Sequence, residues 1–409
     1  FTPDSVETAT CQEFELSSWD AIVIGAGVIG TSVSYNLATL GAKRVLVLER
    51  DQIGSGTTAQ SSGILRTHYS VLENMALAQQ SWTVFNNFAE HLQDEEASAG
   101  LVRCGYLIAS PDGPKLSPLR DALAAQRDRG ITVSQLTQIE AAEILPICRF
   151  DDAALIGFEP NAGFADAYLV ASSYARAARR LGVKFIEGER VTRLHLHESC
   201  VSGVETTSGV YSAPVVISTQ NIWANELAEW TGIHVPLAPE RHKVIALEGP
   251  QAYTYGMPVY KDLGSAGMLY CRSYGGRQML VSEGTSGEIL SEPNNLQGDI
   301  SMDDVAQLGE QVADRFPSFS EAGLASSWTG VYDVTPDWNP VLGNVPDVRG
   351  LVVGFGFSGH GFKLSPAVGR VLAQQALGLP TDVSLLPYSL ERFRTGRLLT
   401  GRYGVGAVA

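Results

Sequence analysis

A charge-free apolar run, Ala21-Ile22-Val23-Ile24, passes directly into Gly25-Ala26-Gly27-Val28-Ile29-Gly30, and few folds accommodate that. The run reads as a buried parallel strand. Gly25 permits a tight turn, Gly27 lets the backbone approach a pyrophosphate, and Gly30 lets the following helix pack on the strand, its amino terminus facing the phosphate charge. The spacing predicts a helix over Thr31 to Leu40, a stop at Gly41 and a second strand over Arg44 to Leu48 that ends in Glu49. Glu49 stands 19 positions after Gly30 (49 − 30), near the roughly 20 expected of the carboxylate that accepts ribose hydroxyls. The same charge repels a 2′-phosphate and disfavours NADP. A second glycine-rich segment, Gly354 to Gly361, follows the buried run Leu351-Val352-Val353 and precedes a helical pattern over Leu364 to Leu377. Two such turns suggest one extended cofactor, held at its phosphates by the first and at its reactive ring by the second, as a flavin dinucleotide would be.

A chain of 409 residues suits two domains or interleaved lobes. The pattern gives an α/β fold: an FAD-binding Rossmann-type domain assembled from separated pieces, residues 18–98, 159–233 and 337–400, with a β-rich substrate domain, 99–158 and 234–336, interleaved between them. Residues 1–17 form a polar, acidic tail that does not read as a secretory signal, and the absence of an initial methionine is compatible with a processed or trimmed end. A net charge of −15 argues against nucleic acid or an anionic membrane surface as partner. No stretch approaches the ~20 apolar residues of a membrane span. Five scattered cysteines without metal-type spacing fit reduced thiols and a cytoplasmic location. His195 and His197 alternate on a presumed strand without evident acid or cysteine partners, and no metal site is expected. The hydroxyl-rich segment 54–63, which includes Thr57, Thr58, Gln60, Ser61, Ser62 and Gly63, reads as a loop that wraps a ligand.

Several motifs resemble the FAD-dependent amine and amino-acid oxidoreductases of the D-amino-acid oxidase superfamily, in layout those of the monomeric sarcosine oxidase and dimethylglycine dehydrogenase kind. Gly356-Phe357-Ser358-Gly359-His360-Gly361-Phe362-Lys363 looks like the segment that covers the flavin ring. Tyr332-Asp333-Val334-Thr335-Pro336-Asp337 resembles the stretch before the last strand, and Ile64-Leu65-Arg66-Thr67-His68-Tyr69 the stretch carrying a carboxylate-binding arginine. Val191 falls where the family contacts adenine through the backbone. The resemblance further implies cofactor contacts from Arg50, Thr219, Gln220 and Trp223. Where relatives attach the flavin through cysteine or histidine, this chain has Gly330 and Gln60, so noncovalent FAD is expected. The lysine that promotes reaction with dioxygen in sarcosine oxidase aligns with Gln278.

The expected chemistry is oxidation of the C–N bond of a small amino acid or N-methyl amino acid, of the sarcosine or dimethylglycine type, to an imine with hydride transfer to flavin. The cofactor carries that chemistry and the protein supplies position and charge. Arg66 and Lys363 are expected to clamp the substrate carboxylate. Tyr69, Tyr332 and His360 are candidates for the cavity wall, with a merely structural role open for each. The acceptor is dioxygen or an electron carrier, and oligomerisation is left open. Oxidation of a 2-hydroxy acid or polyol on the same fold, or a noncatalytic flavoprotein subunit of a larger complex, remain alternatives.

Overall fold

The structure, a computed structural model, describes residues 19–402 apart from 286, 295 and 297. The tail 1–17 and Cys11 lie outside the described residues. The first apolar run forms the strand Ala21–Ile24, buried throughout, between parallel partners Val45–Glu49 and Val216–Ser218. Lys184–Glu187 and Leu351–Phe355 extend the sheet in parallel, and Val341–Asn344 closes one edge antiparallel. Parallel pairing needs crossovers that cover both faces, and the side-chain alternation shows the result. Ala21, Val23, Val45 and Val47 enter one core cluster with the helices Val28–Thr39, Leu72–Asn86, Ala167–Arg180 and Gly361–Ala376. Ile22, Ile24, Leu46 and Leu48 enter another with Val191, Leu194, Val201 and Val204, from a small antiparallel sheet built on Val191–His197 and Cys200–Thr206. This is the Rossmann-type half of an α/β fold.

The β-rich half is a nine-stranded mixed sheet among the described residues, drawn from 106–159 and 238–334. Its long strands Ala238–Glu248 and Leu324–Val334 pair antiparallel, and Tyr106–Ser110 pairs in parallel with Val259–Asp262. The helix Met302–Arg315 covers one face through Leu308 and Val312.

Both glycine turns pass into helix earlier than the pattern predicts, at Val28 instead of Thr31 and at Gly361 instead of Leu364. Glycine in a first helical turn carries no propensity signal, yet its backbone is already helical. The segment Leu72 to Leu92 is two helices, Leu72–Asn86 and Phe88–Leu92, broken at Asn87 with φ −128° and ψ 42°. His195 and His197 stand on the partly exposed edge of Val191–His197, and His195 Nε2 lies 3.3 Å from Glu205 Oε2, so the expected lack of an acid neighbour is corrected. Glu205 is brought opposite by antiparallel pairing, which sequence spacing does not reveal.

The chain beyond the helix Gly361–Ala376 is pinned by a buried ion pair on the short helix Glu391–Thr395. Arg392 Nε and Nη2 donate to the Asp337 carboxylate at 2.7 and 2.9 Å, and the guanidinium also reaches the carbonyls of Tyr388 and Asn339. Both residues are almost fully buried, so removing one partner strands a charge in the core. Arg392→Ala is expected to cost about 3–5 kcal/mol, measured as a lower urea midpoint at unchanged slope.

Candidate functional site: a cleft between two helix starts and a cationic cavity

Gly30 lets the first helix sit close on its strand, since a Cβ there would lie 1.9 Å from the Gly25 carbonyl oxygen. That proximity aims the helix start at a cleft of about 670 Å³ lined by Gly25, Gly27, Glu49, Arg50, Thr57, Thr58, Val191, Thr219, Gln220 and Trp223. Glu49 is half-held by protein: its oxygens accept the Ala26 and Asp51 N–H groups at 2.7 and 2.9 Å. Burial raises its pKa against the pull of those two donors. Arg50 stacks on Trp223 with its guanidinium carbon 4.0 Å from the ring centroid. The Gln220 amide is committed to Ser218 and Glu226.

A second space of about 680 Å³ shares Gly27, Thr57, Thr58, Thr219 and Asn221 with the first, so the two are halves of one cleft. Its further lining includes Val28, Ile29, Gln60, Ser61, Gly330, Tyr332, Phe357, Gly359, Gly361 and Phe362. The start of the helix Gly361–Ala376 therefore faces this half while the start of Val28–Thr39 faces both. Helix amino termini present unsatisfied N–H groups and partial positive charge.

Tyr332 and Gly359 also line a third cavity, of about 360 Å³, together with Ser62, Ile64, Arg66, Tyr106, Lys261, Tyr270 and Lys363. Arg66 has no carboxylate salt-bridge partner among the described residues. Its guanidinium donates to the His68 carbonyl and packs 4.8 Å from the Tyr69 ring centroid. Lys363, two residues into its helix, is buried with Nζ 3.3 Å from the Gly359 carbonyl. Burial, then the charges of Arg66 and Lys261, hold its pKa well below the lysine range. The loop carrying Arg66 is fixed from behind by Glu159, which accepts the Thr67 N–H and hydroxyl, each at 2.8 Å, and the Gln126 amide at 3.1 Å.

Six of the predicted site residues line none of these spaces, and each has a packing reason. Gly30 serves the helix–strand contact. Gly63 sits at φ +70° where a Cβ would lie 2.1 Å from the Ala165 carbonyl oxygen. Gly356 approaches Thr335, with a Cβ there 2.3 Å from its methyl, and donates its N–H to Asp333 Oδ2 at 2.6 Å. The Ser358 hydroxyl is spent on the Thr335 N–H and the Gly356 carbonyl. Tyr69 and His360 form a buried pair, hydroxyl to Nδ1 at 3.1 Å, that backs Arg66. Burial, then Lys363 and Arg66, hold the His360 pKa well below the imidazole range, so the pair is neutral. Gln278 lies at a strand end opposite Glu248 and lines none of the three spaces.

Sequence reading missed Asp333, Asn221, Tyr106, Tyr270 and Lys261. Lys261 sits on a strand whose four residues are all buried, whereas a lysine in a short strand ordinarily reaches solvent, so its residue type pointed away from the interior.

The shape fits an extended dinucleotide: a carboxylate at one end, two helix amino termini along it, and a cationic cavity beyond. A family model described as FAD dependent oxidoreductase (DAO) matches residues 20–375. The chain belongs to that family. It is an FAD-dependent oxidoreductase. It is 28% identical to FAD-dependent oxidoreductase domain-containing protein 1 of Bos taurus, over 92% of this chain and 85% of that protein. It is 25% identical to the mitochondrial sarcosine dehydrogenase of Mus musculus over 92% of this chain, and spans 42% of that protein's length. The L-proline dehydrogenase of P. horikoshii shares the fold at a TM-score of 0.85 and 23% identity, over 93% of this chain and 99% of that one. Among the described residues no helix is long and apolar enough to cross a membrane.

Burial pushes the Glu159 pKa from 4.5 up to about 7, against its Thr67 and Gln126 donors and the Arg66 charge. A raised carboxyl pKa means that stability is fully present below the unfolded value, near 4.5, and is lost as pH rises through about 7. Glu159→Gln keeps an acceptor for Thr67 and does not titrate. Its melting temperature relative to the unmodified enzyme is expected to rise between pH 5 and pH 8, by the equivalent of on the order of 2–3 kcal/mol, measured by calorimetry across that range.

Proposed function

We propose that this enzyme oxidises the C–N bond of a small carboxylated amine, an amino acid or N-methyl amino acid, to an imine that water then hydrolyses. One observation carries the reading: the cavity holding Arg66 and Lys363 shares Tyr332 and Gly359 with the cleft at the second helix start. A substrate anchored there would lie beside the second helix start, at the other end of the cleft from Glu49, whose carboxylate would hold the ribose of the cofactor. FAD, when bound, supplies the hydride acceptor, and the residues of this chain supply the rest. Arg66 presents a planar fork for the substrate carboxylate, and Lys363 adds a second donor. The N–H groups at Gly361 and Phe362 offer positive charge to an anion developing at that helix start. Tyr332, half-buried and stacked on His242 with ring centroids 4.0 Å apart, walls the boundary between cleft and cavity. A cationic wall also favours the neutral form of the amine, which the oxidation requires, because an ammonium beside Arg66 and Lys363 is repelled. The relatives whose names specify a substrate, a sarcosine dehydrogenase and an L-proline dehydrogenase, support the amine class.

Noncovalent attachment is part of the proposal. Gly330 and Gln60 are neighbours: a Cβ on Gly330 would lie 3.5 Å from the Gln60 carbonyl oxygen, and Gln60 Oε1 accepts the Val331 N–H at 3.0 Å. No cysteine or histidine lines any of the three spaces. Acid precipitation of the holoenzyme is expected to leave all of its flavin in the supernatant; yellow protein in the pellet contradicts this.

Arg66→Ala and Lys363→Met are each expected to raise the KM for a carboxylated amine by roughly ten- to hundredfold, the worth of a charged hydrogen bond, while flavin content stays near that of the unmodified enzyme. Normal kinetics in both variants would rule out the clamp. Anaerobic titration with sarcosine, proline and common amino acids is expected to bleach the bound flavin. Bleaching by 2-hydroxy acids alone would move the reaction to C–O bonds.

A further inference from the structure

The cavity holds more positive charge than one carboxylate can use. Lys261 lies 2% exposed on the strand Val259–Asp262, and its Nζ makes no hydrogen bond among the described residues. It shares a sheet face with its ladder partner Tyr270, and both line the cavity. The ammonium occupies space that glycine leaves open, since a Cβ on Gly284 would lie 2.0 Å from Nζ. No acidic residue lines the cavity. Asp262, adjacent in sequence, points to the opposite face and is bound to Arg315 Nε at 2.9 Å, and Glu159 is spent on Thr67 and Gln126. Burial together with Arg66 and Lys115 depresses the Lys261 pKa, with Asp262 opposing, which is the condition of a cation lacking its counter-ion.

The Lys261 amine lies 5.4 Å from the Tyr270 ring centroid, a weak contact beside a counter-ion, and a buried amine so placed sheds its proton unless an anion holds it charged. Arg66 and Lys363 suffice for one carboxylate. We infer that the substrate is an amino dicarboxylate, its second carboxylate held by Lys261, so that Lys261 sets the preference for a doubly acidic amine over a simple one. This rests on the amine-oxidation reading and specifies its substrate class.

The test is binding of non-oxidisable acids to the holoenzyme at constant ionic strength, followed by the difference spectrum of the bound flavin. Malonate and succinate are compared with acetate. The unmodified enzyme is expected to bind at least one of the two dicarboxylates roughly ten- to hundredfold more tightly than acetate, and Lys261→Met to reduce that ratio to about one to threefold. Lys261→Gln, which keeps a polar head without the charge, is expected to do the same and serves if the methionine variant fails to accumulate. In turnover, iminodiacetate or aspartate is expected to exceed glycine in kcat/KM by tenfold or more, and Lys261→Met to remove that advantage through KM. Equal binding of mono- and dicarboxylates, or a preference that survives both substitutions, overturns the inference. If no amine bleaches the flavin while the dicarboxylate preference persists, the amine reading alone has failed. If amines bleach it without such a preference, this inference alone has failed.

Discussion

One buried carboxylate ties the β-rich half of the molecule to the second glycine turn. Asp333 is the next-to-last residue of the long strand Leu324–Val334 of the β-rich sheet, and its Oδ2 accepts the Gly356 N–H while its carbonyl accepts the Ser358 N–H. The same residue lines the middle of the cleft. Burial pushes its pKa up to about 6, against the backbone donors around it, so the turn's N–H groups are what keep the charge tolerable. Everything distal depends on that junction: it sets where the helix Gly361–Ala376 starts, and therefore where Lys363 and the helix amino terminus point relative to Tyr332.

Charge in this site is arranged in layers. The outer end of the cleft carries an acid, Glu49, suited to hydroxyl groups. The middle carries helix amino termini, suited to phosphate and to an anionic ring edge. The far cavity is lined by Arg66 and by two lysines, Lys261 and Lys363, whose pKa values burial, then the Arg66 charge, depress. Within about 8–10 Å such charges are screened little in a buried setting, and each depresses its neighbours: Lys363 feels Arg66 and Lys261, and His360 feels all three. An anionic ligand relieves every one of these penalties together. An anion in this cavity would therefore bind with uptake of protons by the two lysines, which it holds in their charged form.

Much of this was legible in the chain. The run Ala21 to Glu49 specified strand, turn, helix, strand and acid, because a parallel strand buried on both faces must be apolar throughout and a turn at that packing distance must be glycine. The composition of Val259–Asp262 concealed Lys261, since a lysine in a strand ordinarily reaches solvent and only the three-dimensional sheet closes that route. The expected site positions that line none of the three spaces share a cause. Gly63, Gly356 and Ser358 belong to ligand-contacting segments of the family, yet their own roles are to let backbones approach or to tie a turn, and sequence alone does not separate a glycine that admits a ligand from one that admits a carbonyl. Tyr69 and His360, far apart in sequence, become a pair only when the fold brings the first loop against the last helix.

Neutral packing behind charged contact residues is the remaining element of the design. Arg66 rests on the Tyr69 ring, which is hydrogen-bonded to a His360 that burial keeps uncharged. A protonated imidazole there would stand beside Lys363 and Arg66 and depress the Lys363 pKa further. A neutral Tyr–His pair instead fixes the guanidinium through ring contact and a single hydrogen bond, leaving its outward donors available. The cavity can therefore present its cations to a ligand because the layer behind them is polar enough to be satisfied and carries no charge to compete.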